Sequence, residues 1–182
     1  LARNDAQDAK RHAVDVAAVI ADRLGLWAPQ AAQRQVTLTA SPDEKTWALA
    51  VPGTLEQILD NLLSNALNAS PPDTTITIAT EHSTAHVTVH VIDQGPGLDL
   101  EARQRAFDRF WRAPGTRTKG SGLGLAIVAE LAATSGGQAT LADGPTGGLD
   151  ASVRLPVAST HNLTDTMPTQ ADLAEQETLT LR

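Results

Sequence analysis

Three asparagines in the middle of the chain, Asn61, Asn65 and Asn68, are spaced as neighbours on one side of a helix. At about 100° per residue they share a narrow face that lies beside an apolar stripe. Amide oxygens are hard donors, and Mg²⁺ typically takes one or two protein ligands and completes its shell with phosphates and water. The asparagine stripe therefore indicates a candidate magnesium site. An ordinary polar helix flank is the alternative, because asparagine is a poor helix former that needs little reason to sit there.

A lone carboxylate, Asp93, follows an apolar run and precedes Gly95 and Gly97. A buried carboxylate accepts hydrogen bonds and cannot donate them, so it can select an exocyclic amine such as that of adenine. Guanine would present a carbonyl there and leave both groups unpaired. The two glycines would let the backbone approach a base closely. A plain turn after a strand is the alternative, since Asp-x-Gly is common at such turns.

Three glycines at alternate positions, Gly120, Gly122 and Gly124, open an apolar segment that continues with Leu125. At a helix start, the backbone N–H groups and the helix dipole could hold a polyphosphate. A dinucleotide-binding fingerprint would need a strand directly before the glycines and an acidic residue about twenty positions later, and a P-loop would need Gly-Lys-Ser/Thr. Neither pattern is met. A simple helix-start loop remains the alternative.

Aromatic and basic residues lie between these motifs. Within residues 107–112 the aromatic side chains could anchor the root of a loop, and Arg109 and Arg112 could reach phosphates or a docked partner. Residues 113–120 are rich in proline, glycine, threonine and cations, which predicts a mobile loop, and its Lys119 could also reach the phosphates. Solvated arginines at the end of an amphipathic helix are the alternative.

Hydrophobic periodicity predicts the elements that position these residues. A helix should begin with Asp15 as its N-cap, and Pro29 is expected to kink or divide it. Residues 36–40 and 47–51 alternate at period two, which predicts a hairpin with a longer loop.

The helix that carries the asparagine stripe is expected to start at a capping box formed by Thr54 and Gln57. Pro71-Pro72 should end it. Its predicted buried face consists of Leu55, Ile58, Leu59, Leu62, Leu63, Ala66 and Leu67.

The residue pattern in the second half of the chain predicts four strands and two helices. Residues 74–80 and 86–92 should form an antiparallel pair, with Val87, Val89 and Val91 on one face. Two further helices and two closing strands are expected at 100–110, 122–135, 138–141 and 149–155.

Length and composition restrict the class of protein. The chain has 182 residues, a net charge of −7, 41% apolar residues and no cysteine. The negative charge argues against a nucleic-acid surface, and the lack of cysteine excludes disulfides and thiolate metal sites. No stretch is long and apolar enough for a bilayer span, and no secretory signal opens the chain. We expect one soluble, most simply cytoplasmic, domain.

Taken in order, these segments closely resemble the catalytic, ATP-binding domain of bacterial two-component sensor histidine kinases, in the GHKL superfamily. The resemblance covers about residues 15–156, and residues 147–156 look like its closing strand, with Asp150 where threonine is common. The matching motifs are residues 61–68 for the family's N box, 93–97 for G1, 107–112 for F and 120–125 for G2.

The resemblance implies an α+β fold. This would be a two-layer α/β sandwich of the Bergerat type, with a mixed, mostly antiparallel sheet of about five strands on three helices and a flexible ATP lid. Residues 1–14 would be the end of an upstream helical or linker segment, 15–156 the ATP-binding domain, and 157–182 a disordered tail.

The resemblance also implies ATP and Mg²⁺ as cofactors. Asn65 would bind the metal, Asn61 would assist at the phosphates or metal, and Asp93 would read adenine. Asn68 stands where the family usually has a lysine or arginine that reaches the phosphates, so that charge must come from Arg109, Arg112, Arg117 or Lys119, or be missing. The remaining nucleotide-binding residues would be Gly95, Gly97, Gly120, Gly122, Leu123, Gly124 and Leu125, with Arg109, Arg112 and Lys119 assisting catalysis.

Relatives that hydrolyse ATP carry a glutamate base four residues before the metal asparagine. Here that position is Asn61, and an amide cannot take a proton from water. This favours phosphoryl transfer to a histidine over hydrolysis. No phospho-accepting histidine motif is present, since His12 lies in Lys-Arg-His-Ala-Val.

Without a phospho-accepting histidine motif in this chain, the resemblance implies that other domains act as partners. They would be the histidine-bearing dimerisation domain of the same receptor and, indirectly, a response regulator. The chain would be the cytoplasmic part of an inner-membrane receptor, monomeric in isolation and without nucleic-acid partners. Two alternatives remain: a stand-alone serine kinase of the anti-sigma type, and a degenerate module that only binds a partner.

Overall fold

A computed structural model describes residues 10–41, 46–113 and 121–158. Within these ranges the chain forms four helices and seven strands. In chain order they are β1 (His12–Asp15), α1 (Val16–Gln33), β2 (Thr37–Ser41), β3 (Trp47–Ala50), α2 (Thr54–Ala69), β4 (Thr75–His82), β5 (His86–Ile92), α3 (Leu100–Arg105), α4 (Gly124–Thr134), β6 (Gln138–Asp143) and β7 (Leu149–Pro156).

The main sheet has five strands in the order β2-β4-β5-β7-β6. Only β2 and β4 run parallel, and the other neighbours are antiparallel. Val87, Val89 and Val91 are buried on the face that the helices cover, as their alternation predicts. The predicted α+β sandwich with a mixed, mostly antiparallel sheet is therefore confirmed.

Helix α2 lies at the centre of the helical layer, between α1 and α4 and against β5. Every member of its predicted apolar stripe is buried, from Leu55 to Leu67. Truncating a buried leucine to alanine typically costs about 2–5 kcal/mol. Burial on this scale fixes the rotation of α2, and that rotation decides where its asparagines point.

Helix α1 begins as predicted, because the Asp15 side chain accepts a hydrogen bond from Ala18 N at 3.0 Å. Pro29 does not divide the helix, which continues to Gln33. The carbonyl that Pro29 leaves without a helical donor belongs to Gly25, which is exposed, so water can satisfy it.

The predicted hairpin is wrong. β2 pairs in parallel with β4, and β3 pairs antiparallel with β1 in a separate two-stranded sheet. β1 itself falls within residues predicted to be helical or linker. Alternation identified two of these strands, but the partner of a strand depends on distant segments that a local pattern does not contain.

Two predicted boundaries also differ in the structure. The N-cap of α2 is Gly53, with φ of 78° and no side-chain cap, whereas Thr54 lies inside the helix and is buried. The capping box is therefore absent. α3 ends at Arg105 instead of residue 110, and Phe110 adopts a left-handed φ of 65°, which a continuing helix does not allow.

The start of the predicted disordered tail is ordered. Val157 N donates to Ala85 O at 3.0 Å, and Ala158 N donates to Trp47 O at 2.9 Å. The rest of that tail, residues 159–182, and residues 114–120 of the predicted lid lie outside the described residues. Among the helices that the structure describes, none combines the length and apolar character needed to cross a membrane.

Candidate functional site

A cavity of about 810 Å³ lies between α2, the start of α4 and the beginning of β7. This volume lies within the range of small-molecule pockets. Ten of the predicted site residues line it: Asn61, Asn65, Asn68, Asp93, Gly97, Arg112, Gly122, Leu123, Gly124 and Leu125. Four do not contribute to its described wall. Gly95 packs behind Asp93, Arg109 pairs elsewhere, and Lys119 and Gly120 lie outside the described residues.

The asparagine stripe faces the first residue of α4. Asn61 Nδ2 donates to Gln57 O at 2.8 Å, so the amide nitrogen is bound to its own helix and Oδ1 is the end left for the cavity. A Cβ placed on Gly124 would lie 3.2 Å from Asn61 Oδ1 and 3.4 Å from Asn65 Nδ2. Glycine at this position therefore keeps space beside the two amides, whose oxygens are donors that suit Mg²⁺.

Asn68 has a different environment. It is exposed at the end of α2, and its Oδ1 accepts a hydrogen bond from Arg34 Nη1 at 2.9 Å. Arg34 follows the last residue of α1, so this bond joins the two helices beside the cavity.

Asp93 lines a different part of the cavity wall, beside Gly95 and Gly148, and is only 4% exposed. Its Oδ1 accepts hydrogen bonds from Gly95 N at 2.8 Å and from Leu149 N at 3.2 Å. Burial raises the pKa of this carboxyl, and the two backbone N–H groups offset part of that rise. Since both donors bind Oδ1, Oδ2 stays available to accept a hydrogen bond from a ligand in the cavity.

Glycines pack tightly around Asp93. A Cβ on Gly95 would lie 2.8 Å from Ala69 O, and a Cβ on Gly148 would overlap the backbone carbonyl oxygen of Asp93. Gly148 also has a left-handed φ of 81°. Sequence reasoning missed the role of Gly148 and Leu149 here. The Gly147-Gly148 pair before the closing strand was the available signal.

Helix α4 begins at the cavity without a side-chain cap, because its N-cap is Leu123. The N–H groups of its first turn have no acceptor within the helix, and the helix dipole adds partial positive charge at this end. These groups lie beside the asparagine stripe. The arrangement suits an anionic ligand between α2 and α4.

The segment before α4 is joined to its start. Phe110 N donates to Gly122 O at 2.8 Å, so the residues that flank the predicted lid lie together. Trp111 and Arg112 line the cavity, whereas Phe110 is 72% exposed. Arg109 forms an exposed ion pair with Glu130 at 3.0 Å. Of the two arginines, Arg112 is therefore the one placed at the cavity.

Asp150, which departs from the resembled pattern, does not touch the cavity. It bonds His90 Nδ1 at 3.0 Å on the side of the sheet away from the helices. This residue therefore gives no support to a degenerate pocket.

Residues 50–159 match the family model for histidine kinase-, DNA gyrase B- and HSP90-like ATPases. The chain is 42% identical over 144 residues to the sensor protein CreC of Escherichia coli, covering 79% of this chain and 30% of CreC. It is 35% identical over 147 residues to the sensor protein kinase PmrB of Pseudomonas aeruginosa, covering 80% of this chain and 31% of PmrB.

Solved structures agree. The structure of the mycobacterial sensor histidine kinase MprB superposes on this chain with a TM-score of 0.72 at 26% identity. The match covers 82% of this chain and 100% of the MprB chain. The ATP-binding domain of PrrB from Mycobacterium tuberculosis gives a TM-score of 0.64 at 29% identity, covering 82% and 99%.

The chain spans about a third or less of the curated relatives named above, 30% and 31% of their lengths. The family match covers most of the cavity described above, including α2, Asp93 and the start of α4. It confirms the resemblance inferred from the ordered motifs and shows that ATP is the ligand class. The chain therefore belongs to the family of histidine kinase-, DNA gyrase B- and HSP90-like ATPases, as an ATP-binding domain of the sensor histidine kinase type.

Proposed function

We propose that this domain binds Mg-ATP and transfers the γ-phosphate to a histidine on a separate dimerisation and phosphotransfer domain of the same receptor. The observation that carries the proposal is the distribution of charge in the cavity. Among the described residues that line it, the only carboxylate is Asp93, and that group is 4% exposed and held by two backbone N–H groups. The end near α4 carries amides in place of carboxylates.

The base end of the cavity would bind adenine. Asp93 Oδ2 accepts a hydrogen bond from the exocyclic amine, while Gly97 lets the backbone pass close to the ring. Guanine presents a carbonyl to the same carboxylate, and two acceptors facing each other in a dry site are strongly disfavoured. Gly95 supports this end from behind by giving Asp93 an N–H donor.

The phosphate end would bind the triphosphate and the metal. Asn65 would hold Mg²⁺ through its amide oxygen, with Asn61 assisting, and the ion would supply neutralisation of phosphate charge. The first-turn N–H groups of α4 receive phosphate oxygens, and Arg112 is the described cation at this wall. Arg109, Lys119 and Gly120 complete the proposed set, and Arg109 must leave Glu130 to take part.

In the transfer step a nitrogen of the acceptor histidine attacks the γ-phosphorus. The N–P bond forms as the bond to the β,γ-bridging oxygen breaks, and ADP leaves. Such a reaction requires positioning and charge neutralisation more than proton transfer by the protein. A water nucleophile would need a base, and Asn61 cannot act as one.

The partners follow from this acceptor. A histidine-bearing helical domain supplies the nucleophile, and a response regulator receives the phosphate later. The named relatives are sensor proteins that extend well beyond the matched region. We accordingly propose that the domain works on the cytoplasmic side of a membrane receptor and is monomeric when isolated.

The test is a two-component transfer assay. The isolated domain is mixed with the histidine-bearing domain of its full-length protein and γ-labelled ATP. We expect label on that domain that is stable in alkali and labile in acid. A variant of the acceptor with His→Gln is the matched control and should stay unlabelled.

Acid-stable label would show transfer to a hydroxyl group, as in the serine-kinase alternative, and would contradict a histidine acceptor. The absence of any label, with ATP bound, would contradict transfer. The serine-kinase alternative has no support from the relatives, which are sensor kinases.

A further inference from the structure

The C-terminal end of α1 reaches the C-terminal end of α2 through one side chain. Arg34 Nη1 donates to Leu67 O and to Asn68 Oδ1, both at 2.9 Å. Leu67 O is one of the last carbonyls of α2, and Asn68 lines the cavity. The Arg34 guanidinium therefore contacts a side chain that lines the cavity, that of Asn68.

The part of the cavity wall that the structure describes is poor in positive charge for the ligand proposed above. Among the described residues that line it, the charged side chains are Asp93 and Arg112. Asn68 itself is neutral, and Arg109 is paired with Glu130 at 3.0 Å. A triphosphate carries several negative charges, so a second cation at this wall would strengthen its binding.

The hydrogen bond from Arg34 also decides the orientation of Asn68. An amide whose oxygen accepts from a guanidinium presents its N–H₂ group in the other direction. Asn68 lines the cavity and its Oδ1 is bound to Arg34, so we infer that Nδ2 is the atom available to a ligand there. The pair can therefore offer a phosphate oxygen a donor from Asn68, with the positive charge of Arg34 behind it.

We propose that Arg34 is a positioning residue for the nucleotide, which orients Asn68 and supplies charge to the phosphate side of the cavity. The inference rests on the proposed function, because it requires ATP to bind with its phosphates near α2. Arg34 also caps a carbonyl of α2, and this structural role would exist even without a ligand.

The experiment compares Arg34→Gln with the wild type by titration calorimetry against Mg-ATP, Mg-ADP and adenosine. Glutamine keeps an amide donor and removes the charge. We expect ATP to bind about five-fold more weakly at about 50 mM salt, with adenosine unchanged. The difference should shrink at about 500 mM salt, because exposed charges are screened. Arg34→Lys should retain most of the ATP affinity.

Arg23→Gln is the matched control. Arg23 also crosses from α1 to α2, bonding Asp60 at 3.1 Å, but neither residue lines the cavity. It should change thermal stability without changing the ratio of ATP to adenosine affinity. In the Arg34→Gln background, Asn68→Lys should restore ATP binding by placing a charge directly at the wall.

The inference is overturned if Arg34→Gln lowers the melting temperature but leaves the ratio of ATP affinity to adenosine affinity, and the salt dependence of that ratio, as in the wild type. Arg34 would then be a helix cap alone. Failure of the wild type to bind ATP would instead remove the proposed function.

Discussion

The two ends of the cavity are built in different ways. At the base end, Asp93 is buried and held by two backbone N–H groups, and glycines pack against it with no room for a side chain. At the phosphate end, the asparagines are half-buried or exposed, and Arg112 sits beside a segment whose middle lies outside the described residues. The proposed base end has one carboxylate side chain held by backbone N–H groups, whereas the proposed phosphate end combines exposed amide and guanidinium side chains with the first-turn N–H groups of α4.

This difference suggests that the two ends serve different steps, with base recognition at one and the binding of phosphates and metal at the other. A carboxylate fixed by the main chain can select a base before any partner arrives. Exposed amides and arginines gain most of their strength when charged phosphates and a metal are present. We therefore expect changes at the base end to affect affinity and folding strongly, and changes at the phosphate end to affect affinity moderately.

The largest loss of ATP affinity should come from Asp93→Asn. The new Nδ2 group would face the amine of adenine, so that two donors meet in a dry site. We expect ATP affinity to fall about 100-fold, about 2.7 kcal/mol. Calorimetry with Mg-ATP measures the loss, and circular dichroism checks the fold. Unchanged affinity would show that the base lies elsewhere.

A pair of glycine variants tests whether close packing holds the base end. Gly147 and Gly148 both have left-handed φ values, 87° and 81°, but only at Gly148 would a Cβ overlap the Asp93 carbonyl. Gly147→Ala should cost about 1 kcal/mol from backbone strain alone. Gly148→Ala should cost at least about 2 kcal/mol more. Equal losses in urea denaturation would show that the overlap is relieved without cost.

Lowering the pH should have opposite effects on two properties that depend on Asp93, the stability of the fold and the affinity for ATP. Burial raises the pKa of this carboxyl above its ordinary value of 3.8. Its contribution to stability is therefore fully present below that ordinary value and is lost as the pH rises through the folded-state pKa.

ATP binding has the opposite dependence, because a protonated acid loses an acceptor for the amine. Affinity should drop as the pH falls from about 7.5 towards the folded-state pKa of Asp93, which lies above 3.8. Calorimetry across this range measures the drop, with Asp93→Asn as a control that lacks this component. A flat profile in the wild type would contradict the role of Asp93.

The smallest predicted effect is at the start of α4. In Gly124→Ala, a Cβ would lie 3.2 Å from Asn61 Oδ1, tighter than an ordinary contact. Alanine favours the helix by up to about 1 kcal/mol, so the melting temperature should stay equal or rise. Mg-ATP affinity should nevertheless fall about threefold, because the space beside the amides narrows. Falling stability with unchanged affinity would contradict this.

Local patterns predicted the parts of the fold that depend on local periodicity. The buried face of α2 and the valines of β5 follow from spacings within one element, and both are confirmed. The strand partners of β2 and β3 were not predictable, because pairing joins segments far apart in the chain. The start of α2 was misassigned because Gly53 and Thr54 both fit the pattern of a helix start.

The candidate site likewise has parts that local patterns predicted and parts that depend on contacts between distant residues. The motifs correctly brought Asn61, Asp93 and Gly124 to one cavity, although the roles of these residues stay predictions. The bond from Leu149 to Asp93 joins residues 56 positions apart, and no spacing rule contains it. The link from Arg34 to Asn68 is equally non-local, at 34 positions. Such contacts depend on tertiary packing alone.

Base selection tests the central claim most directly. Titration calorimetry should compare Mg-ATP and Mg-GTP on the wild-type domain at neutral pH, since the two ligands share the same triphosphate. We predict measurable ATP binding and at least about 100-fold weaker GTP binding, because only adenine offers an amine to Asp93. Equal binding of the two nucleotides, or no binding of ATP, would contradict the assignment of Asp93 and of the cavity.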